Sequence, residues 1–237
     1  EGGTAIITNS AFSGNSVIAQ GGGIFTLYGA LTITNSTFTL NTSVDGGCIF
    51  NFGGTATISN STFSGNRATA GLAGGNGGGI LGFGTGGTLI ITNSTFSGNN
   101  ADGYGGSLRI SAGTATLSNT IVANSTSGGN CSGPIPWIIN GGNNIDSGTT
   151  CGWGSTSGSM SNTNPLLGAL ANNGGATQTL ALLVGSPAID GVKFNAPNSA
   201  PATDQRGVAR PQGARYDIGA YELAQMSIYL PLILKSP

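Results

Sequence analysis

Apolar and polar residues alternate in five short runs along the first half of the chain: Thr4-Ala5-Ile6-Ile7-Thr8, Ala30-Leu31-Thr32-Ile33-Thr34, Thr55-Ala56-Thr57-Ile58-Ser59, Thr88-Leu89-Ile90-Ile91-Thr92 and Thr114-Ala115-Thr116-Leu117-Ser118. A period of two in β-branched residues predicts strands with one buried face. The columns Ala5, Leu31, Ala56, Leu89, Ala115 and Ile7, Ile33, Ile58, Ile91, Leu117 then point inward, and mostly Thr points outward. Each run leads into the same phrase, ITNSTFSGN at Ile91 and lightly edited at Ile7, Ile33, Ile58 and Leu117. The first asparagines of the phrase, Asn9, Asn35, Asn60, Asn93 and Asn119, are separated by 26, 25, 33 and 26 residues. A fixed period of this size predicts a solenoid, and the long step predicts one extra loop, Arg67 to Asn76.

Extending the parity by two residues carries the first asparagines inward as a ladder of amides, each bonded to its equivalents above and below. Phe12, Phe38, Phe63 and Phe96 predict an aromatic layer per coil, about 4.8 Å apart if neighbouring strands are parallel. A third strand opens each coil after a glycine corner, in GGGIF, GGCIF, GGGIL and GGSLR. Arg109 stands there in the column of Phe25, Phe50 and Leu81, and an unpaired buried Arg costs far more than an exposed Phe. Ile24, Ile49, Ile80 and Leu108 are therefore expected inside, leaving Phe25, Leu27, Phe50, Phe52, Leu81 and Phe83 as an exposed apolar face. Such a patch is expected to be covered by the chain's own tail, by its long loop or by a neighbouring copy.

The expectation is an all-β chain, a right-handed parallel β-helix with three short strands per coil of about 25 residues. Its parts are regular coils over 1–129, degenerate coils with an irregular excursion over 130–185, a charged irregular cap over 186–225 and an apolar strand or tail over 226–237. Eight of the fifteen charges lie between Asp190 and Glu222, and Arg–carboxylate pairs there are expected to pin a cover over the last coil. The tail residues Ile228, Tyr229, Leu230, Leu232, Ile233 and Leu234 read as a strand seeking a partner; the run is too short to cross a bilayer, which takes about 20 apolar residues.

Composition narrows the function. Charged residues make up 6% of the 237, there is no His, and the net charge of −1 leaves no footprint for nucleic acid or an anionic membrane. Cys131 and Cys151 bracket the excursion and read as a disulfide, with two free thiols as the alternative; a disulfide places the chain in an extracellular or cell-surface compartment. Cys48 falls in the repeat lattice as a small buried hydrophobe. Of six N-x-S/T sequons, at Asn35, Asn41, Asn60, Asn93, Asn124 and Asn130, most belong to the repeat phrase, with Asn41 and Asn124 at corners. The glycine runs lack the Lys-Ser/Thr of a phosphate loop.

The GGxI and FxxN phrases resemble the repeats of polymorphic outer-membrane proteins and related bacterial surface β-helices of the pectin-lyase-like class. The phrases NCSG (Asn130 to Gly133), NNIDSGTTCG (Asn143 to Gly152), NNGGATQTLAL (Asn172 to Leu182), GSPAID (Gly185 to Asp190), TDQRGVARP (Thr203 to Pro211) and YDIGAYE (Tyr216 to Glu222) resemble the choice-of-anchor Q proteins. The resemblance implies a bacterial surface β-helix and transfers no catalytic residue, metal ligand or cofactor.

Three functions follow as expectations. The first is a non-enzymatic structural protein that packs end to end into a filament or sheath, its partner another copy docked through the tail strand. The second is a monomeric adhesin or stalk module that binds a glycan or a surface. The third is a polysaccharide lyase or hydrolase, with Arg206, Arg210 and Arg215 facing an acidic sugar. That chemistry calls for clustered carboxylates, and the coils hold only the scattered Asp45, Arg67, Asp102 and Arg109.

Overall fold

The computed structural model describes residues 2–70, 74–134, 136–193 and 200–224. They form a parallel β-solenoid of about five turns with stacked sheets along its sides. A long sheet gathers Thr4–Thr8, Ala30–Thr34, Thr55–Ser59, Thr88–Thr92, Thr114–Ser118 and Ile138–Asn140. A phenylalanine sheet gathers Ala11–Ser13, Thr37–Thr39, Thr62–Ser64, Thr95–Ser97, Ile121–Ala123 and Ile145–Asp146. A third sheet, which carries the cleft described below, gathers Ile24–Leu27, Ile49–Phe52, Ile80–Phe83, Leu108–Ile110 and Cys131–Ser132. The middle coils add a fourth strand of two residues, Thr42–Ser43, Arg67–Ala68 and Asn100–Ala101, beyond the three expected.

Repeat register becomes core packing. Ile33 pairs with Ile58 and Ile58 with Ile91, so identical side chains stack, and Leu31, Ile33, Ala56, Ile58, Leu89, Ile91, Ala115 and Leu117 are buried. Ile49, Ile80 and Leu108 are buried opposite them, as the parity from Arg109 requires. Phe12, Phe38, Phe63 and Phe96 form one column with ring centroids 4.9, 4.8 and 4.4 Å apart. Burial and offset stacking act together here, at about 0.5–1.5 kcal/mol per ring pair beyond area burial. The column ends where Val122 and then Asp146 follow Phe96 in register. Cys48 is buried and free, and burial pushes its thiol well above the usual range.

The polar ladders differ from the expected one. Asn9, Asn35, Asn60, Asn93 and Asn119 all take φ of +45 to +52°, the left-handed conformation that Asn tolerates, and turn the corner between two strands. The turn breaks the extended parity. Asn60, Asn93 and Asn119 are buried all the same, but the ladder beside them is built by Ser36, Ser61 and Ser94, also fully buried: each hydroxyl donates to the carbonyl two residues back and accepts the backbone N–H of its equivalent in the preceding coil. A continuous amide ladder is built by the second asparagines of the phrase. The Asn15 Nδ2 donates to Asn41 Oδ1 at 2.9 Å, Asn41 to Asn66 at 2.9 Å and Asn66 to Asn99 at 3.0 Å. The first asparagines hold a ladder only at one end, from Asn143 to Asn119 (3.1 Å) and Asn119 to Asn93 (3.4 Å).

The charged C-terminal segment runs along the side of the stack, where a cover over the last coil was expected. Outward threonines of the phenylalanine sheet receive it. Gln205 Nε2 donates to Thr37 Oγ1 (2.8 Å) and Thr177 Oγ1 (2.9 Å), while Thr62 Oγ1 donates to Gln205 Oε1 (2.6 Å). Asn60 Nδ2 donates to the Thr203 carbonyl, and the Ala220 N–H donates to Thr95 Oγ1. Leu182, Ala188 and Ile218 close a second apolar cluster over Ile121, Ala123 and Ile145. This lateral brace ties coils that otherwise touch only their neighbours.

Candidate functional site

The outer face of the third sheet is a cleft of about 540 Å³, built from three columns that climb the solenoid together. Its floor is Phe25, Phe50 and Leu81, in strict parallel register, with Arg109 next in line. One side is Leu27, Phe52 and Phe83, with Ser111 at the following level. The other side is the corner column Gln20, Asp45 and Asn76, each bonded to the next coil through backbone amides. Tyr104 continues that column beside Arg109.

Period-two reading treats a sheet face as flat, and this one is concave. Phe25, Leu27 and Phe83 are 50, 42 and 43% exposed, and Phe52 is half-buried, but Phe50 and Leu81 are only 6 and 3% exposed. Phe50 is enclosed by Phe25, Phe83 and Phe52, with centroids 5.5, 6.0 and 6.4 Å away. The expected exposed face is thus corrected to a buried floor, Phe50 and Leu81, between exposed shoulders. Phe25 and Phe50 lie nearly parallel, at 20°, so the two rings turn their faces to each other and their edges toward the cleft. Tyr28 meets Phe52 edge-on at 5.4 Å.

Charge in the cleft is sparse and placed at its margins. Asp45 Oδ1 accepts the Asn76 N–H at 3.0 Å and its Nδ2 at 3.2 Å. Arg109 donates from Nε to Ser111 Oγ (3.2 Å) and from Nη1 to Ser132 Oγ (2.6 Å), and its guanidinium lies 5.2 Å from the Tyr104 ring centre. Those partners are neutral. Among the described residues no carboxylate pairs with Arg109.

The other sequence-predicted residues lie elsewhere. Cys131 and Cys151 are joined in a disulfide with a Cα separation of 4.8 Å, which fastens the excursion to the end of the third sheet. Ile228, Tyr229, Leu230, Leu232, Ile233 and Leu234 fall outside the described residues. Of the three arginines expected to face an acidic sugar, Arg215 is exposed but Arg206 and Arg210 are not: Arg206 pairs with Asp204 at 2.7 Å and stacks 3.5 Å from the Tyr221 ring centre, and Arg210 pairs with Glu222 at 2.9 Å. Burial lowers the Arg210 pKa against the pull of Glu222, Asp204 and Asp217. Burial likewise pushes Asp217 up to about 6, with Glu222 adding to the rise, while the Leu223 and Asp190 N–H groups and Arg210 oppose it. Asp102 on the flank is held below its usual range, chiefly by the Ala70 N–H and also by Arg67. Of the corner sequons, Asn41 is fully buried in the amide ladder and Asn124 is exposed.

Sequence reasoning missed the corner column, Gln205 and the second asparagine ladder. The ladder had a signal, because Asn15, Asn41, Asn66 and Asn99 recur at the repeat spacing. Gln205 had none, its partners being 28 to 168 residues away. Among the described residues no three His, Cys, Asp or Glu side chains converge as metal ligands, and no helix is long and apolar enough to cross a membrane. Compared with protein-family models, curated proteins and solved structures, the chain matches none.

Proposed function

We propose that this chain is a non-catalytic extracellular binding module of adhesin or stalk type, in which the solenoid holds the lateral cleft rigid as its recognition surface. The observation that carries this reading is the concave floor of Phe50 and Leu81 between the exposed Phe25, Leu27 and Phe83. A patch of this kind on a polar, weakly charged surface marks a binding site. The Cys131–Cys151 bridge supports an oxidising compartment, and the resemblance of the C-terminal phrases to choice-of-anchor Q proteins favours a bacterial surface. Two features support a binding role over turnover. Among the described residues Asp45 is the single carboxylate lining the cleft, and its Oδ1 is engaged by Asn76; Arg206 and Arg210 are bound within the brace. End-to-end assembly through Ile228 to Leu234 rests on a segment outside the described residues.

The test combines sedimentation with titration of N-phenyl-1-naphthylamine, an uncharged apolar fluorophore, and a panel of neutral and acidic glycans. A monomer that binds the fluorophore or a glycan, and loses it when Phe25→Ser and Phe83→Ser are combined, is the expected result. Filaments in the electron microscope with no cleft-dependent binding refute the reading in favour of assembly. Glycan turnover refutes it in favour of an enzyme.

A further inference from the structure

We propose that the cleft takes a single amphiphile with an unbranched apolar chain and a carboxylate head, the chain lying along Phe25, Phe50 and Leu81 and the head at the Arg109 guanidinium. The inference rests on the cleft being a recognition surface and goes on to name what it recognises. Three observations select this chemistry.

The first is the floor itself. Strand register sets Phe25, Phe50, Leu81 and Arg109 one coil apart, so three apolar levels spanning about 10 Å lead to one cation about 5 Å further on. The second is the unbalanced charge of Arg109. Ser111 and Ser132 fix two of its nitrogens and Tyr104 takes one side, so the side chain is oriented while no carboxylate among the described residues compensates its charge. Asp45 lies beside the middle of the floor and repels an anion there, which directs a negative head to the Arg109 end. A carboxylate at that guanidinium forms charge-assisted hydrogen bonds, stronger than the neutral ones that Arg109 makes to the two serines.

The third observation is the presentation of the rings. Phe25 and Phe50 spend their facing surfaces on each other and offer mainly edges to the cleft, a poor platform for a flat sugar ring but a good wall for a methylene chain. The floor also lies below its shoulders, with Phe50 and Leu81 nearly inaccessible. That concavity admits one chain and holds a flat bilayer away.

Decanoate, decyltrimethylammonium and phosphatidylcholine vesicles are the probes, the first two kept below their aggregation concentrations and measured by isothermal titration. Decanoate is expected to bind at least about tenfold more tightly than decyltrimethylammonium, a difference of about 1.4 kcal/mol. Arg109→Gln is expected to abolish that preference and leave N-phenyl-1-naphthylamine binding intact. Equal binding of the two head groups, or decanoate binding unchanged by Arg109→Gln, overturns the head-group assignment and leaves the cleft standing as an apolar site. Decanoate binding that survives Phe25→Ser combined with Phe83→Ser overturns both the inference and the cleft reading. Attachment to vesicles without binding of monomeric decanoate overturns the inference in favour of a membrane surface.

Discussion

Replacing Asn66 by Ala tests whether the buried amide ladder holds the coils together. Asn66 is fully buried, and its Oδ1 accepts both the Asn41 backbone N–H (3.0 Å) and the Asn41 Nδ2 (2.9 Å). Its Nδ2 donates to the Phe38 carbonyl and to Asn99 Oδ1, each at 3.0 Å. Truncation strips the Asn41 backbone amide of its acceptor in a dry interior, a penalty of about 1–3 kcal/mol. The other groups keep one partner each: the Asn41 Nδ2 still meets the Phe12 carbonyl, and Asn99 Oδ1 still accepts the Asn66 N–H. Their losses are ordinary ones of about 1 kcal/mol, so the total expected is about 2–5 kcal/mol. Asn15, at the exposed end of the same ladder, provides the control. It only donates, and Asn41 Oδ1 keeps the Asn15 backbone N–H when the side chain is removed, so Asn15→Ala should stay within about 0.5 kcal/mol. Urea unfolding followed by circular dichroism gives both values, and amide exchange at Asn41 locates the damage. Equal losses in the two variants, or an Asn41 amide that stays protected in Asn66→Ala, would refute the reasoning.

Gln205→Ala removes the side chain that joins Thr37, Thr62 and Thr177, so limited proteolysis should release the brace while circular dichroism retains the parallel β signal; a brace as resistant as the parent's counts against its role. The raised pKa of Asp217 means that the folded chain holds a proton that the unfolded chain, with an Asp pKa near 3.9, gives up. The resulting stabilisation is fully present below about pH 4 and lost as pH rises through about 6, by up to about 3 kcal/mol. Unfolding midpoints at pH 5 and 7.5 should therefore differ in that sense in the parent and lose that component in Asp217→Asn. Reducing Cys131–Cys151, which are 20 residues apart, should cost about 3 kcal/mol and open the excursion first, with urea midpoints and exchange at Thr150 as the readout.

What could be read from sequence and what could not divide along one line. The columns of Ile33, Ile58 and Ile91 and of Phe38, Phe63 and Phe96 were legible because each coil repeats the same local pattern and parallel register converts repetition into contact. The asparagine ladder was misplaced because counting by twos assumes extended backbone, and Asn35 at φ +52° hands the inward position to Ser36. Arg–carboxylate pairs in the C-terminal segment were legible as chemistry, but the flank they brace was not, since Thr37 and Gln205 meet across 168 residues without any local signal.

The cleft combines both cases. Its floor and its shoulder follow from repetition, but its other side is the corner column of Gln20, Asp45 and Asn76, three polar residues of different identity that leave no mark in a repeat consensus. Arg109 is the position where the consensus itself breaks, a charge where the other coils carry Phe25, Phe50 and Leu81. From sequence that break decides which way the strand faces, because the cost of burying an unpaired guanidinium exceeds the cost of exposing a ring. In the structure the same break ends an apolar floor with a cation that, among the described residues, is held by two hydroxyls and a tyrosine face. A stacked repeat makes every coil alike by default, so a side chain that departs from its column, stays accessible and lacks a counter-ion gives the cleft a direction. Arg109 meets all three conditions, which is why the head-group experiment turns on that residue and the depth of the cleft does not.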